Sequence, residues 1–117
     1  MTIEEISDLL GAVICSEGDE AEDLDLTLAY SSDVMSDVLA YATEGCILIT
    51  GLRNTQVIRT AEMQDVPCII FTRGKEPCEE VVEIARRFGI CTMVTHLSTF
   101  NTSGLLYMKG IRGIDTP

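Results

Sequence analysis

Cys46-Ile47-Leu48-Ile49, Val66-Pro67-Cys68-Ile69-Ile70-Phe71-Thr72 and Ile90-Cys91-Thr92-Met93-Val94-Thr95 are the stretches that decide the fold. Each is a short, nearly continuous apolar run, and successive runs begin about 20 to 24 residues apart, which matches a strand plus its crossover helix in a parallel sheet. The helices between them carry their own punctuation. Asn54 reads as the cap of a helix through Met63, and Pro77 as the start of the next. That second helix has Glu79 and Glu80 early, Arg86 and Arg87 late, and Gly89 after it. Ser98 reads as the cap of a last helix ending near Gly110, although Gly104 inside it costs about 1 kcal/mol unless close packing requires it.

Upstream of this repeat, Thr2 and Glu5 form a capping-box pattern, and Ile3, Ile6, Leu9 and Leu10 share a helical face. Residues 3 to 10 therefore read as a helix stopped at Gly11. A short strand is expected at Ala12 to Cys15 and an acidic loop from Ser16 to Asp23. Leu24, Leu26 and Leu28 alternate with polar residues as a half-buried strand does. Ser32 reads as the cap of a helix from Asp33 to Thr43, with Val34, Val38, Leu39 and Ala42 inward and Gly45 after it. The tail from Ile111 to Pro117 is expected to be loose. The fold class is α/β, a single compact domain over residues 1–117, with a mainly parallel central sheet of about 4–5 strands flanked by helices.

Composition bounds the function. The chain has 117 residues, 46% hydrophobic and 23% charged, within the usual size of one domain. Its 8 Lys and Arg against 19 Asp and Glu give a net charge of −11, a field that repels polyphosphate backbones and argues against nucleic acid as a partner. Its apolar runs are far shorter than the roughly 18 residues a membrane span needs. The N-terminus lacks the basic and apolar regions of a signal peptide, so a cytoplasmic location without membrane contact is expected. The charge is uneven. Residues 1–52 hold 12 acids and no base, and residues 53–117 hold all 8 bases with 7 acids. A local anion-binding surface is therefore possible if Arg53, Arg73 and Lys75 converge; scattered, solvated charges are the alternative.

The five cysteines, at 15, 46, 68, 78 and 91, make an odd set without a C-x-x-C pair and with one distant histidine. No disulfide framework, metal site or cofactor is expected from them. Cys46, Cys68 and Cys91 lie in apolar runs and read as core. Cys78 follows Pro77 at a helix start, where a dipole can lower a thiol pKa, but no histidine is near in sequence to activate it.

In a parallel sheet the carboxyl ends of the strands share one edge, where ligands of open α/β sheets bind beside helix N-termini. Three loops meet there: Thr50-Gly51-Leu52-Arg53-Asn54, Thr72-Arg73-Gly74-Lys75-Glu76-Pro77 and Thr95-His96-Leu97-Ser98-Thr99. The candidate ligand-binding residues are Arg53, Asn54, Thr72, Arg73, Gly74, Lys75, His96, Ser98 and Thr99, an inventory that fits a phosphate better than a neutral ligand. There is no G-x-x-x-x-G-K-S/T loop, no G-x-G-x-x-G, no G-x-S-x-G and no H-E-x-x-H. No residue is therefore assigned a catalytic role. An enzyme using Cys78 or His96 would lack the adjacent base and orienting group it needs.

At these loops the chain resembles the DRTGG domain family, with Leu52-Arg53 and Thr72-Arg73-Gly74 standing in the places of its defining motif. Ser32-Asp33-Val34-Met35-Ser36-Asp37-Val38, Gly74-Lys75-Glu76-Pro77 and Leu97-Ser98-Thr99-Phe100 also resemble its small free-standing members, and the likeness runs from about residue 2 to 112. Leu52 departs from the family's acidic residue and Arg73 from the first Gly of its pair. The resemblance implies a compact domain similar to the N-terminal domain of HPr kinase, found beside CBS domains in regulated pyrophosphatases and in phosphotransacetylases. It also implies a bacterial, non-catalytic, regulatory or assembly role. Two functional expectations follow. One is a regulatory homodimer binding a small phosphorylated ligand, such as an adenine nucleotide, at the strand-end loops. The other is an interaction module whose acidic N-terminal half docks on a basic protein partner without a small ligand.

Overall fold

The computed structural model describes residues 1–19 and 23–117. In chain order the elements are α1 (Ile3–Leu10), β1 (Val13–Ser16), β2 (Leu28–Ser31), α2 (Met35–Tyr41), β3 (Ile47–Thr50), α3 (Thr55–Met63), β4 (Cys68–Phe71), α4 (Glu79–Arg87), β5 (Cys91–Val94), α5 (Thr99–Met108) and β6 (Arg112–Gly113). The strands form one sheet in the order β1-β5-β4-β3-β2-β6. The neighbours from β5 to β6 are all parallel, and β1 alone runs antiparallel, against β5. The architecture is the expected α/β one with six strands, the short β6 among them.

The three apolar runs lack alternation because both faces of their strands are covered, and every residue of β3, β4 and β5 is buried. Leu48, Ile69 and Phe71 point to one face, where Met35, Val38, Val57, Ile58, Ala61, Val81 and Ala85 of α2, α3 and α4 pack on them. Ile47, Ile49, Ile70 and Met93 point to the other, against Ile3, Ile6 and Leu10 of α1 and Leu106 of α5. Cys46, Cys68 and Cys91 are fully buried among these residues. Cys68 and Cys91 are paired in register across β4 and β5. The neighbouring Cys91 thiol pushes Cys68 well above its ordinary pKa of 9.0, with burial adding to the rise, while Cys68 holds that of Cys91 down.

Most helix starts follow their caps. The Thr2 hydroxyl accepts from the Glu5 amide at 3.1 Å while Glu5 accepts from the Thr2 amide at 2.9 Å, the full capping box. Asn54 caps α3 by accepting from the Val57 amide, and Ser98 caps α5 by accepting from the Asn101 amide. Pro77 does not open α4, because Cys78 holds the cap position and the helix begins at Glu79.

Further expectations need correction. The Ser32 hydroxyl accepts from the Val34 amide two residues on, a local turn that delays α2 to Met35. Met35, Val38 and Ala42 then face inward, whereas Val34 and Leu39 are exposed. Leu26 is buried, but within irregular chain held by the N-terminus: the Met1 ammonium donates to Asp25 and to the Leu26 carbonyl, and the strand starts at Leu28. Ser16 belongs to β1 and is buried, its hydroxyl 2.6 Å from that of Thr92. The rest of the loop expected to Asp23 includes residues 20–22, which lie outside the described residues. The tail is tied down at its start, where Ile111 is buried and Arg112 and Gly113 pair with β2. No described helix is long and apolar enough to cross a membrane.

Candidate functional site

The sheet places the loops after β3, β4 and β5 side by side, and backbone hydrogen bonds stitch them together. The Thr72 amide donates to the Thr50 carbonyl, the Arg73 amide to Leu97 and the Gly74 amide to Thr95. The Thr72 and Thr99 hydroxyls lie 2.8 Å apart. Arg73 and Gly74 both take left-handed backbone, with φ of 68° and 72°. Gly74 adopts it freely. Arg73 adopts it against a cost on the order of 1–2 kcal/mol, offset by the contacts its amide and guanidinium make.

Gly51 is the centre of the arrangement. Its carbonyl accepts from the Arg53 guanidinium at 3.1 Å and from the Arg73 guanidinium at 3.2 Å. Its amide donates to Asp33 at 2.7 Å, and the same carboxylate oxygen accepts from the buried Thr50 hydroxyl at 2.9 Å. A Cβ at position 51 would run into the Arg73 guanidinium, so glycine is what lets that side chain lie across the loop. Two cations thus share one neutral oxygen. Among the described residues the ion pairs are Met1 with Asp25 and Arg86 with Glu83, so neither Arg53 nor Arg73 has a carboxylate partner there. The N-termini of α3 and α5 open onto the same edge and add the positive ends of their dipoles.

The sequence-derived residues divide into three groups. Arg53 and Arg73 converge, as above. Asn54 and Ser98 are present at the edge but spend their side chains as helix caps, and Thr72 bonds to Thr99. Lys75 and His96 are exposed on the neighbouring turns. Gly74 lies close against His96, where a Cβ on the glycine would stand 3.5 Å from the histidine Cα. Asp33 joins this edge without being among the sequence-derived candidates: it lies in the Ser32-to-Val38 stretch after β2, the fourth strand to reach this edge, which in sequence reads as a helix start. Leu52, which replaces an acidic residue of the family pattern, is half-buried and packs against the core. An open cleft of 370 Å³ lies elsewhere, along the β1 edge, lined by Ile14, Cys15, Ser16, Glu17 and Arg86. Among the described residues no three His, Cys, Asp or Glu side chains gather to hold a metal.

The family model of the DRTGG domain matches residues 5–108. Among solved structures, the chain is similar to the CBS and DRTGG domains of the regulatory region of Clostridium perfringens pyrophosphatase, complexed with the activator diadenosine tetraphosphate. The TM-score is 0.77 at 22% identity, covering 90% of this chain and 45% of that one. The chain therefore spans less than half the length of that relative, and the likeness establishes a shared fold. No curated protein matches. With nearly its whole length matched by the family model and its fold shared with a regulatory region that includes such a domain, the chain belongs to the DRTGG domain family.

Proposed function

We propose that this chain is a non-catalytic regulatory module that binds a small phosphorylated ligand, an adenine nucleotide first among the candidates, at the strand-end loops, and that it works as a cytoplasmic homodimer. One observation carries the reading. In a protein with 19 acids against 8 bases, Arg53 and Arg73 converge on a single carbonyl with no carboxylate partner among the described residues. Like cations held together repel one another, and a phosphate bridging them would relieve that repulsion while accepting charge-assisted hydrogen bonds from both. Gly74, Lys75, His96 and the amides at the starts of α3 and α5 extend the same surface, with Asn54, Thr72, Ser98 and Thr99 shaping it. Asp33 adds an acceptor at the β2 end, suited to a ribose hydroxyl or an exocyclic amine. The diadenosine tetraphosphate in the related regulatory region makes adenine nucleotides the first chemistry to try.

The experiment is a thermal-shift screen of nucleotides and phosphorylated metabolites on the full chain, repeated with the Arg53→Ala, Arg73→Ala double variant. A ligand at 100 times its dissociation constant stabilises by about 2.7 kcal/mol. A hit lost in the double variant supports the reading, and a hit that keeps full affinity there removes this site. A second reading rests on Glu4, Glu5 and Asp8, which are exposed on α1 in a half of the chain without bases. It makes the domain a docking module for a basic protein, and its signature is binding that weakens with salt and needs no small ligand.

A further inference from the structure

Helix α5 buries Thr102 and Leu106 on its inner side and carries a second apolar face outward. Phe100 is 84% exposed, Tyr107 58% and Met108 81%, and with Gly104 they sit at i, i+4, i+7 and i+8, the spacing of one helical face. The space a Cβ would take at Gly104 is empty to 4 Å, so nothing within the chain explains the glycine. Residues 99–108 include no Asp, Glu, Lys or Arg, unlike each of the other four helices.

We infer that this face is where a second copy of the chain docks, two α5 helices crossing at Gly104 about a two-fold axis. The inference rests on the homodimer reading above and names its surface. Gly104 lies midway between Phe100 and Met108, four residues from each. An antiparallel crossing there sets Phe100 of one copy against Met108 of the other, and the reverse, as a two-fold contact requires. Each meeting is a sulfur–aromatic contact, and the missing side chain at Gly104 lets the two backbones approach. Charge selects the occupant. Two molecules of net charge −11 repel over most of their surfaces, and a helix with no acid of its own, with the Arg112 guanidinium stacked 4.2 Å from the Tyr107 ring centroid, is where they can touch without setting acid against acid. A basic partner would instead seek the acids. The three exposed side chains offer roughly 150 Å² apiece, so a symmetric pair buries on the order of 900 Å² through them alone. That approaches the roughly 1,200 Å² at which stable interfaces begin, with Asn101 and the Gly104 backbone adding to it.

The test is analytical ultracentrifugation of the full chain over a concentration series, with the wild type beside Phe100→Asp, Met108→Asp and the single variant Met108→Lys. These positions are exposed, and circular dichroism checks that the fold is kept; Met108→Lys places its charge favourably at a helix C-terminus and serves if the double variant misfolds. The wild type is expected at twice 12.8 kDa, with a dissociation constant that falls as salt is raised. The variants are expected to weaken association by at least roughly tenfold. A wild type that stays at 12.8 kDa at every concentration overturns this inference and the homodimer reading together. A dimer unaffected by both sets of substitutions overturns the α5 surface and leaves the homodimer reading standing.

Discussion

Replacing Gly51 with alanine separates binding from folding. The residue is not among those with positive φ, so alanine can adopt its backbone, but the new methyl would collide with the far end of the Arg73 side chain. A flexible guanidinium moves more cheaply than backbone. The collision should therefore be relieved by displacing Arg73, while the lower chain entropy of alanine in the unfolded state contributes up to about 1 kcal/mol in compensation. The predicted change in stability without ligand is below about 1 kcal/mol, read as a urea midpoint. Binding should suffer more. A hydrogen bond to a charged group is worth about 1.5–3 kcal/mol, so losing the placement of one guanidinium should weaken a phosphorylated ligand by at least roughly tenfold. With about 2.1 cal/mol/K of unfolding entropy per residue over 117 residues, ligand at 100 times the wild-type dissociation constant raises the midpoint by about 11 °C. A tenfold weaker site at the same concentration gives about 6 °C. Thermal-shift titration with ATP or diadenosine tetraphosphate reads both values. A Gly51→Ala chain that folds normally and keeps the full ligand-induced rise would refute the assignment of Arg73 to the site.

Three further outcomes are expected. Asp33→Ala leaves the Gly51 amide and the buried Thr50 hydroxyl without their acceptor and should cost about 2 kcal/mol in chemical denaturation, most of it recovered by Asp33→Asn; an unchanged midpoint would show that water replaces the carboxylate. The capping-box bonds from Thr2 hold the Glu5 carboxyl below its ordinary value of 4.5. Its contribution is therefore fully present above that pH and lost as pH falls through the lower folded-state value, and the stability gap between wild type and Glu5→Ala should close only on the acid side, which a pH series of urea midpoints checks. A thiol–disulfide exchange probe should modify exposed Cys78 first and Cys15 more slowly, since burial pushes its pKa up. Cys46, Cys68 and Cys91 should react only on unfolding, and rapid loss of three or more thiols from the native chain would contradict the described core.

The central strands were legible because a strand covered on both faces has to be apolar at consecutive positions, and loop punctuation marked where Cys46, Val66 and Ile90 begin their runs. Caps that bond within a few residues, Thr2, Asn54 and Ser98, were legible for the same local reason. What failed depended on distant partners. The pairing of Arg112 and Gly113 with β2 answers to no local pattern. Leu24, Leu26 and Leu28 alternate as a strand does, yet the chain there is ordered by the Met1 amino group. At the site, charge and topology together brought Arg53 and Arg73 to one edge. Their common acceptor and the Asp33 carboxylate behind it are features of three-dimensional packing, while in sequence Ser32 and Asp33 have the look of a helix start. Asn54 and Ser98 were legible twice over, as caps and as binding candidates, and their hydroxyl and amide groups bond as caps.

The most direct test of the binding account is an amide chemical-shift titration of the full chain with ATP, repeated with the best hit of the ligand screen. The account predicts that the largest shifts cluster at residues 50–54, 72–77 and 95–99, with Gly51, Arg73 and Gly74 among them, and that they vanish in the Arg53→Ala, Arg73→Ala variant. Shifts centred on the β1 edge or on the outer face of α5, or the same pattern surviving in that variant, would contradict it.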